Sequence, residues 1–420
     1  MKLKMITQLL TVTCVLVVTA SSYAQQKDNK KALFVIVDGI SAEQLKKVAT
    51  PHLDAIVKVG GYTQAYVGGE KSTYSQTPTI SAVGYNSLLT GTWVNKHNVW
   101  DNNIQAPNYH YWTIFRYFQE AYPAKKTAIF STWLDNRTKL IGTGLPQTNH
   151  LRVHYSFDGL ELDTLNFPHD KDAGHILKID EKVVDEAASY ISEQAPDLSW
   201  VYLEYTDDMG HKFGNSERFN KAIGYMDNQM GRLWKAIQYR EKNFGEDWQI
   251  YITTDHGRSE PTGQNHGGQS DAERSTWIVT NAKGLNGYFK GNAGIAKVPG
   301  IVDIMPSLAR HLDIPIKHEQ AMEVDGVPLT GKLSVLWPNV VKENGKIKIT
   351  WKSSEKEGNV KIWISTTNKF EEGGSDRYLL MGEVAVIAER ASIDISKLPK
   401  GFYKIVLEGK YNMVNKWIVE

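Results

Sequence analysis

Four short apolar runs each end on an acid or a hydroxyl, and they constrain the fold more than any other feature of the chain. ALFVIV at 32–37 meets Asp38-Gly39, and KTAIF at 126–130 meets Ser131. WVYLEY at 200–205 meets Thr206-Asp207, and QIYITT at 249–254 meets Asp255-His256. Runs this short and this apolar read as strands buried on both faces. Helical spacing lies between them, clearest over 216–239, where Phe219, Ile223, Met226, Met230, Leu233 and Ile237 recur at steps of three and four. Alternation of such strands with helices predicts an α/β unit, a mainly parallel sheet sandwiched by helices. Ligands of these sheets collect at the carboxyl ends of the strands, where the acids stand.

The pattern changes near Gly331. KIKITW at 346–351, VKIWIS at 360–365, SIDIS at 392–396 and YKIVL at 403–407 alternate with period two between Gly, Asn and Ser turns. Residues 332–420 therefore read as a small antiparallel β-sandwich, fibronectin-III-like, appended to a first unit over 25–331. The sandwich segment has no histidine, so it offers no imidazole, and its expected role is structural.

The first 24 residues stand apart. Lys2 and Lys4 precede an apolar stretch from Ile6 to Ala20, and Ser22-Tyr23-Ala24 places small residues at −3 and −1 of a cleavage point. This predicts a signal peptide cut near Ala24 and a periplasmic or secreted product. Cys14 is the one cysteine. It is a candidate lipoprotein anchor, but Thr13 before it lacks the expected small residue and the apolar run continues past it. A chain with one cysteine has no thiolate cluster for a metal and no disulfide framework. The 48 basic and 47 acidic residues nearly cancel, so no basic field favours a nucleic acid polymer. No internal stretch reads as a transmembrane segment.

Asp38, Asp207, His211, Asp255, His256 and His266 all fall at strand ends or in Gly-rich loops, in the tight forms Asp-x-x-Gly-His and Asp-His-Gly. Taken singly, each is more readily a cap or a hydrogen-bonded core group. As a set, hard carboxylates mixed with imidazoles suit Zn2+, and six of them plus a hydroxyl suffice for two ions.

On these residues the chain resembles the alkaline phosphatase superfamily, and within it the type I phosphodiesterase/nucleotide pyrophosphatase branch, over roughly 31–331. In that superfamily a Ser or Thr nucleophile precedes the Thr of a Thr-Gly pair by nine residues, so Thr90-Gly91 points to Ser81. The branch motif His-Gly-Ile-x-Asp-Asn appears as HNVWDN at 97–102, with Asn98 for the Gly and Asn102 as the residue that binds a phosphoryl oxygen. The resemblance implies a first Zn2+ held by Asp38, Ser81, Asp255 and His256 and a second held by Asp207, His211 and His266. It implies hydrolysis of a small phosphate diester, from a nucleotide, sugar, glycan or lipid headgroup, through a phosphoseryl intermediate.

Departures leave alternatives open. Serine is the nucleophile of the superfamily's phosphomonoesterases, so an alkaline-phosphatase-like phosphomonoesterase is the nearest rival, and a non-catalytic glycan-binding protein is a rival of another class. Ser75, Thr77 and Thr79 are competing hydroxyls. A formylglycine sulfatase needs Pro two residues and Arg four residues after the modified residue, and Val83 and Tyr85 stand there. Tyr85 and Trp133 are candidates to stack on a base or sugar, against simple packing.

Overall fold

The computed structural model describes residues 29–291 and 297–419; the expected signal segment and Cys14 lie outside them. Seven strands form the central sheet: β1 (Lys30–Val37), β2 (Gly61–Tyr66), β3 (Thr127–Ser131), β4 (Tyr155–Phe157), β5 (Leu198–Leu203), β6 (Asp247–Thr253) and β7 (Ser275–Thr280). Their order is β2-β7-β6-β1-β5-β3-β4. β1 pairs in parallel with both β5 and β6, and β7 runs antiparallel to β6 and β2. The sheet is thus mainly parallel, as the apolar runs predict. β2, β4 and β7 escape that reading, because β2 mixes Gly, Thr and Gln with its apolar positions and β4 has only three residues.

The period-two alternation of side chains in β1 divides the interior in two. Phe34 and Ile36 face a core shared with helix α1 (Ser81–Thr90). Leu33, Val35 and Val37 face a core shared with α2 (Gly174–Gln194) and α4 (Glu217–Phe244). α3 (Tyr205–Phe213) follows β5 almost directly, and α5 (Ile304–His311) joins the α1 face. Helices therefore cover both faces, which places α1, α3 and the loop after β6 around the carboxyl ends of β1, β5 and β6. The predicted helix over 216–239 is α4, capped by the Ser216 hydroxyl on Phe219 N and ended by Gly245 in the left-handed region.

Beyond residue 335, β8 (Leu336–Glu343), β9 (Lys346–Lys352) and β12 (Arg390–Asp394) form one antiparallel sheet. β10 (Asn359–Ser365), β11 (Leu379–Ala385), β13 (Phe402–Glu408) and β14 (Met413–Val419) form the other. Ile347, Ile349, Trp351, Ile362 and Ile405 are buried between them in a core continuous with that of Phe34 and Leu88. Trp351 and Trp417 are buried, whereas Trp337 and Trp363 are half-buried. Among the described residues no helix is long and apolar enough to cross a membrane.

Candidate active site

Each expected ligand sits where chain geometry leaves little freedom. Asp38 ends β1, and Asp255 and His256 follow β6. Asp207 and His211 lie one turn apart on α3, so both side chains emerge on one face with His211 Nε2 3.1 Å from Asp207 Oδ2. His266 arrives from a loop and stacks on His256 with ring centroids 3.7 Å apart. The result is two adjoining groups, Asp38 with Asp255 and His256, and Asp207 with His211 and His266. Within each group the candidate ligand atoms all lie within 4.8 Å of one another.

The hydrogen bonds of the three imidazoles determine which nitrogen faces inward. Nδ1 of His256 is 2.8 Å from Gly257 O, that of His211 is 2.8 Å from Gln264 O, and that of His266 is 2.9 Å from Thr79 O. A carbonyl accepts only, so Nδ1 donates in all three and the lone pair of the neutral ring stays on Nε2. The Nε2 atoms converge: those of His211 and His266 are 3.1 Å apart, and that of His256 is 3.2 Å from Asp38 Oδ1 and 3.4 Å from Asp255 Oδ2. Those two carboxylate oxygens are buried and have no hydrogen-bond partner. Orphaned buried oxygens around inward-facing lone pairs are the donor set a divalent cation satisfies.

Electrostatics agree. Burial and the facing Asp38 carboxylate push the Asp255 carboxyl well above its ordinary range. Burial disfavours a charged His256, but Asp255 and Asp38 outweigh it and raise the imidazole to about 9. His266 is pushed down to about 4 by burial and by its neighbour His256. Without a cation the facing carboxylates keep protons in its place, on Asp255 and on His256.

Ser81 is the first residue of α1, and its Oγ lies 3.3 Å from His256 Nε2. The rival hydroxyls are committed elsewhere. Thr77 donates to Ser75 O, Thr79 donates to Gly268 O, and Ser75 bonds within its own loop. Asn102 accepts from Ala82 N at 3.0 Å through Oδ1, which ties it to the first turn of α1 and leaves its amide NH2 to donate. Asn98, standing where the branch has glycine, adopts φ +57°. Asn tolerates the left-handed region better than other non-glycine residues, so the turn survives the exchange.

Of the two readings for Tyr85, packing is the one the structure supports, and its hydroxyl adds a polar contact. The residue is fully buried, and its hydroxyl donates to Asp38 Oδ2. Two further groups escaped sequence reasoning. Tyr202 of β5 also donates to Asp38 Oδ2, at 2.8 Å. Arg258 is buried, donates to Asp207 Oδ1, and bonds the carbonyls of Gly263 and Gln264 in the loop that carries His266. Gly39 and Gly210 make room for that guanidinium, since a Cβ at either would stand within 2.6 Å of it. The position of Arg258 directly after Asp-His-Gly was the available signal.

The sequence profile of the type I phosphodiesterase/nucleotide pyrophosphatase family matches residues 32–307. Human ectonucleotide pyrophosphatase/phosphodiesterase family member 5 is 23% identical over 252 residues, covering 57% of this chain and 47% of the relative. The match thus spans about half that relative's length. The phosphonate monoester hydrolase of Agrobacterium radiobacter superposes with a TM-score of 0.50 at 13% identity, covering 93% of this chain and 89% of its own. A putative sulfatase from Bacteroides thetaiotaomicron gives 0.51 at 13%, covering 84% and 86%. At these identities the two structures establish a shared fold. With the profile spanning most of the α/β unit, the chain belongs to the type I phosphodiesterase/nucleotide pyrophosphatase family.

Proposed function

We propose that the chain is a secreted, two-zinc phosphodiesterase that hydrolyses small phosphate diesters through a phosphoseryl intermediate. The observation that carries this reading is the convergence of three Nε2 lone pairs, two buried unpartnered carboxylate oxygens and the Ser81 hydroxyl. Asp38, Ser81, Asp255 and His256 would hold one ion, and Asp207, His211 and His266 the other. Bound there, zinc supplies Lewis acidity and lowers the pKa of an attached hydroxyl or water.

The chain's own groups do the rest. Ser81 Oγ forms a bond to phosphorus as the bond to the leaving group breaks, and the proton lost by the Ser81 hydroxyl is matched by the one that the departing alkoxide takes up. The dipole of the ten-residue helix α1, at whose start Ser81 stands, favours the phosphoryl anion. Asn102, held by Ala82 N, donates its amide to a non-bridging oxygen, which strengthens as charge builds there. Water then attacks phosphorus and returns Ser81 to its free form. The division into a catalytic unit over 25–331 and a sandwich over 332–420 belongs to the same proposal, as does export directed by the first 24 residues.

Elemental analysis of the purified chain should find close to two zinc ions, and chelation should abolish turnover of bis-p-nitrophenyl phosphate. Absence of bound transition metal, with chelator-resistant turnover, would overturn the two-metal reading. Serine at position 81, the nucleophile type of the superfamily's phosphomonoesterases, favours a second reading, the phosphomonoesterase. Faster turnover of p-nitrophenyl phosphate than of the diester would select it.

A further inference from the structure

The hydrogen bonds around the first group of ligands are unevenly divided. Asp38 Oδ2 lies within reach of two hydroxyls, Tyr85 from α1 and Tyr202 from β5, while Oδ1 is buried and unpartnered. Asp255 repeats the division, since Oδ1 accepts from Gly39 N at 3.2 Å while Oδ2 is orphaned. Each carboxylate is thereby left with one free oxygen aimed at His256 Nε2. The tyrosines are not loosely placed. Both are buried, their ring centroids are 4.9 Å apart, their hydroxyls are 2.8 Å apart, and Trp200 packs edge-on against Tyr85. Thr206 also donates its hydroxyl to Asp38 O, so the backbone of the ligand is held as well.

Resting on the proposed function, we infer that Tyr85 and Tyr202 are positioning residues that confine Asp38 to a single donor atom and so set which ion the first group prefers. One oxygen from Asp38, one from Asp255, His256 Nε2 and Ser81 Oγ make four donors. Four mixed nitrogen and oxygen donors suit zinc, whereas calcium takes six to eight oxygens and commonly a carboxylate through both. Freeing Asp38 Oδ2 allows that carboxylate to bind through both oxygens, which weakens the discrimination. Tyr85 also lies one turn beyond Ser81 on α1, so the same helix positions the nucleophile and a hydroxyl that holds Asp38.

The test compares Tyr85→Phe, Tyr202→Phe and the double variant in the full-length chain. Each is built on His211→Ala so that only the first group is read. Zinc and calcium affinities are measured by competition with chromophoric chelators, and cobalt substitution reports coordination through its visible absorption. The double variant should bind zinc about 10 to 100 times more weakly, with intermediate single variants, a smaller zinc-to-calcium ratio and a weaker four-coordinate cobalt band. Circular dichroism melts identify folded variants, and either single variant decides the question if the double does not fold. Unchanged zinc affinity and ion preference in folded variants would overturn this inference while leaving the proposed function standing. Failure of the unmutated chain to bind zinc would overturn both.

Discussion

Ser81 occupies the first helical position of α1, after the N-cap residue Ile80, and its hydroxyl makes no cap hydrogen bond. A helix-start serine would cost about 0.5 to 2 kcal/mol to replace if it capped the helix; this one does not, so Ser81→Ala should fold and melt almost as the parent does. Turnover should fall by several orders of magnitude. Comparable activity, or a phosphoryl group trapped on Thr77 or Thr79, would show that another hydroxyl attacks. Asp303 illustrates the opposite kind of residue, one that looks reactive and is structural. It is buried at the start of α5 and accepts from Gly300 N, Val327 N and the Tyr288 hydroxyl. Burial still raises its carboxyl to about 7 against those bonds. The folded state therefore binds a proton that the unfolded state has released, so the group's stabilising contribution is full near pH 4 and is lost as pH rises through 7. Asp303→Asn cannot titrate, and the decline of melting temperature between pH 5 and 8 should be shallower in it. An equally steep decline would refute this assignment.

At the scale of elements, α1 and the loop after β6 approach each other closely. Gly84 on α1 faces Asp255, and a Cβ there would stand 2.8 Å from Asp255 O and 2.9 Å from its Cβ. Alanine gains roughly 1 kcal/mol of helix propensity over glycine, but overpacking against a buried backbone typically costs about 1 to 3 kcal/mol. Because the obstacle is a strand-end backbone and not a flexible side chain, the clash should win. Gly84→Ala is expected to lower the melting temperature and reduce zinc content together, and a variant with unchanged zinc content would show that the loop yields freely. The helical periodicity that located α4 says nothing about such contacts, since it records which face is apolar and not what presses against it.

The central sheet and the two carboxyl-terminal sheets share one of the two hydrophobic cores and a buried polar seam. Lys404 of β13 is buried and pairs with Glu323 at 2.6 Å and Asp376 at 2.8 Å, and Lys96, also buried, reaches Asp325 and Asn415 of β14. Trp417 of β14 stacks on Tyr74, from the loop that leads to Ser81, with ring centroids 5.3 Å apart. The period-two strands predict a sandwich with a core of its own, and a chain ended near Gly331 would then keep its zinc and its turnover, with some loss of stability. The shared core makes truncation costly, so the shortened chain should lose stability sharply even if its ligands are complete. Lys404→Met in the full chain isolates the seam. Leaving Glu323 and Asp376 buried without their cation should cost about 3 to 5 kcal/mol in urea unfolding, with zinc content unchanged. A cost below 1 kcal/mol would show that the seam is not a structural tie.

What the sequence alone determined was whatever depends on local order. The strand-terminal acids, the Asp-x-x-Gly-His turn of α3, the Ser81 position relative to Thr90-Gly91 and the period-two strands after Gly331 are all spacings along the chain. They specify the family and the residues that are candidate ligands. Only the tertiary structure decided which oxygen of Asp38 is free, that Tyr85 and Tyr202 hold the other, that Arg258 secures Asp207, and that Trp417 packs on the loop before Ser81. The separations involved are long, 164 residues between Asp38 and Tyr202 and 343 between Tyr74 and Trp417. Periodicity decays over a few turns of helix or strand, whereas hydrogen-bond direction and orphaned oxygens are set by elements that meet only when the core closes.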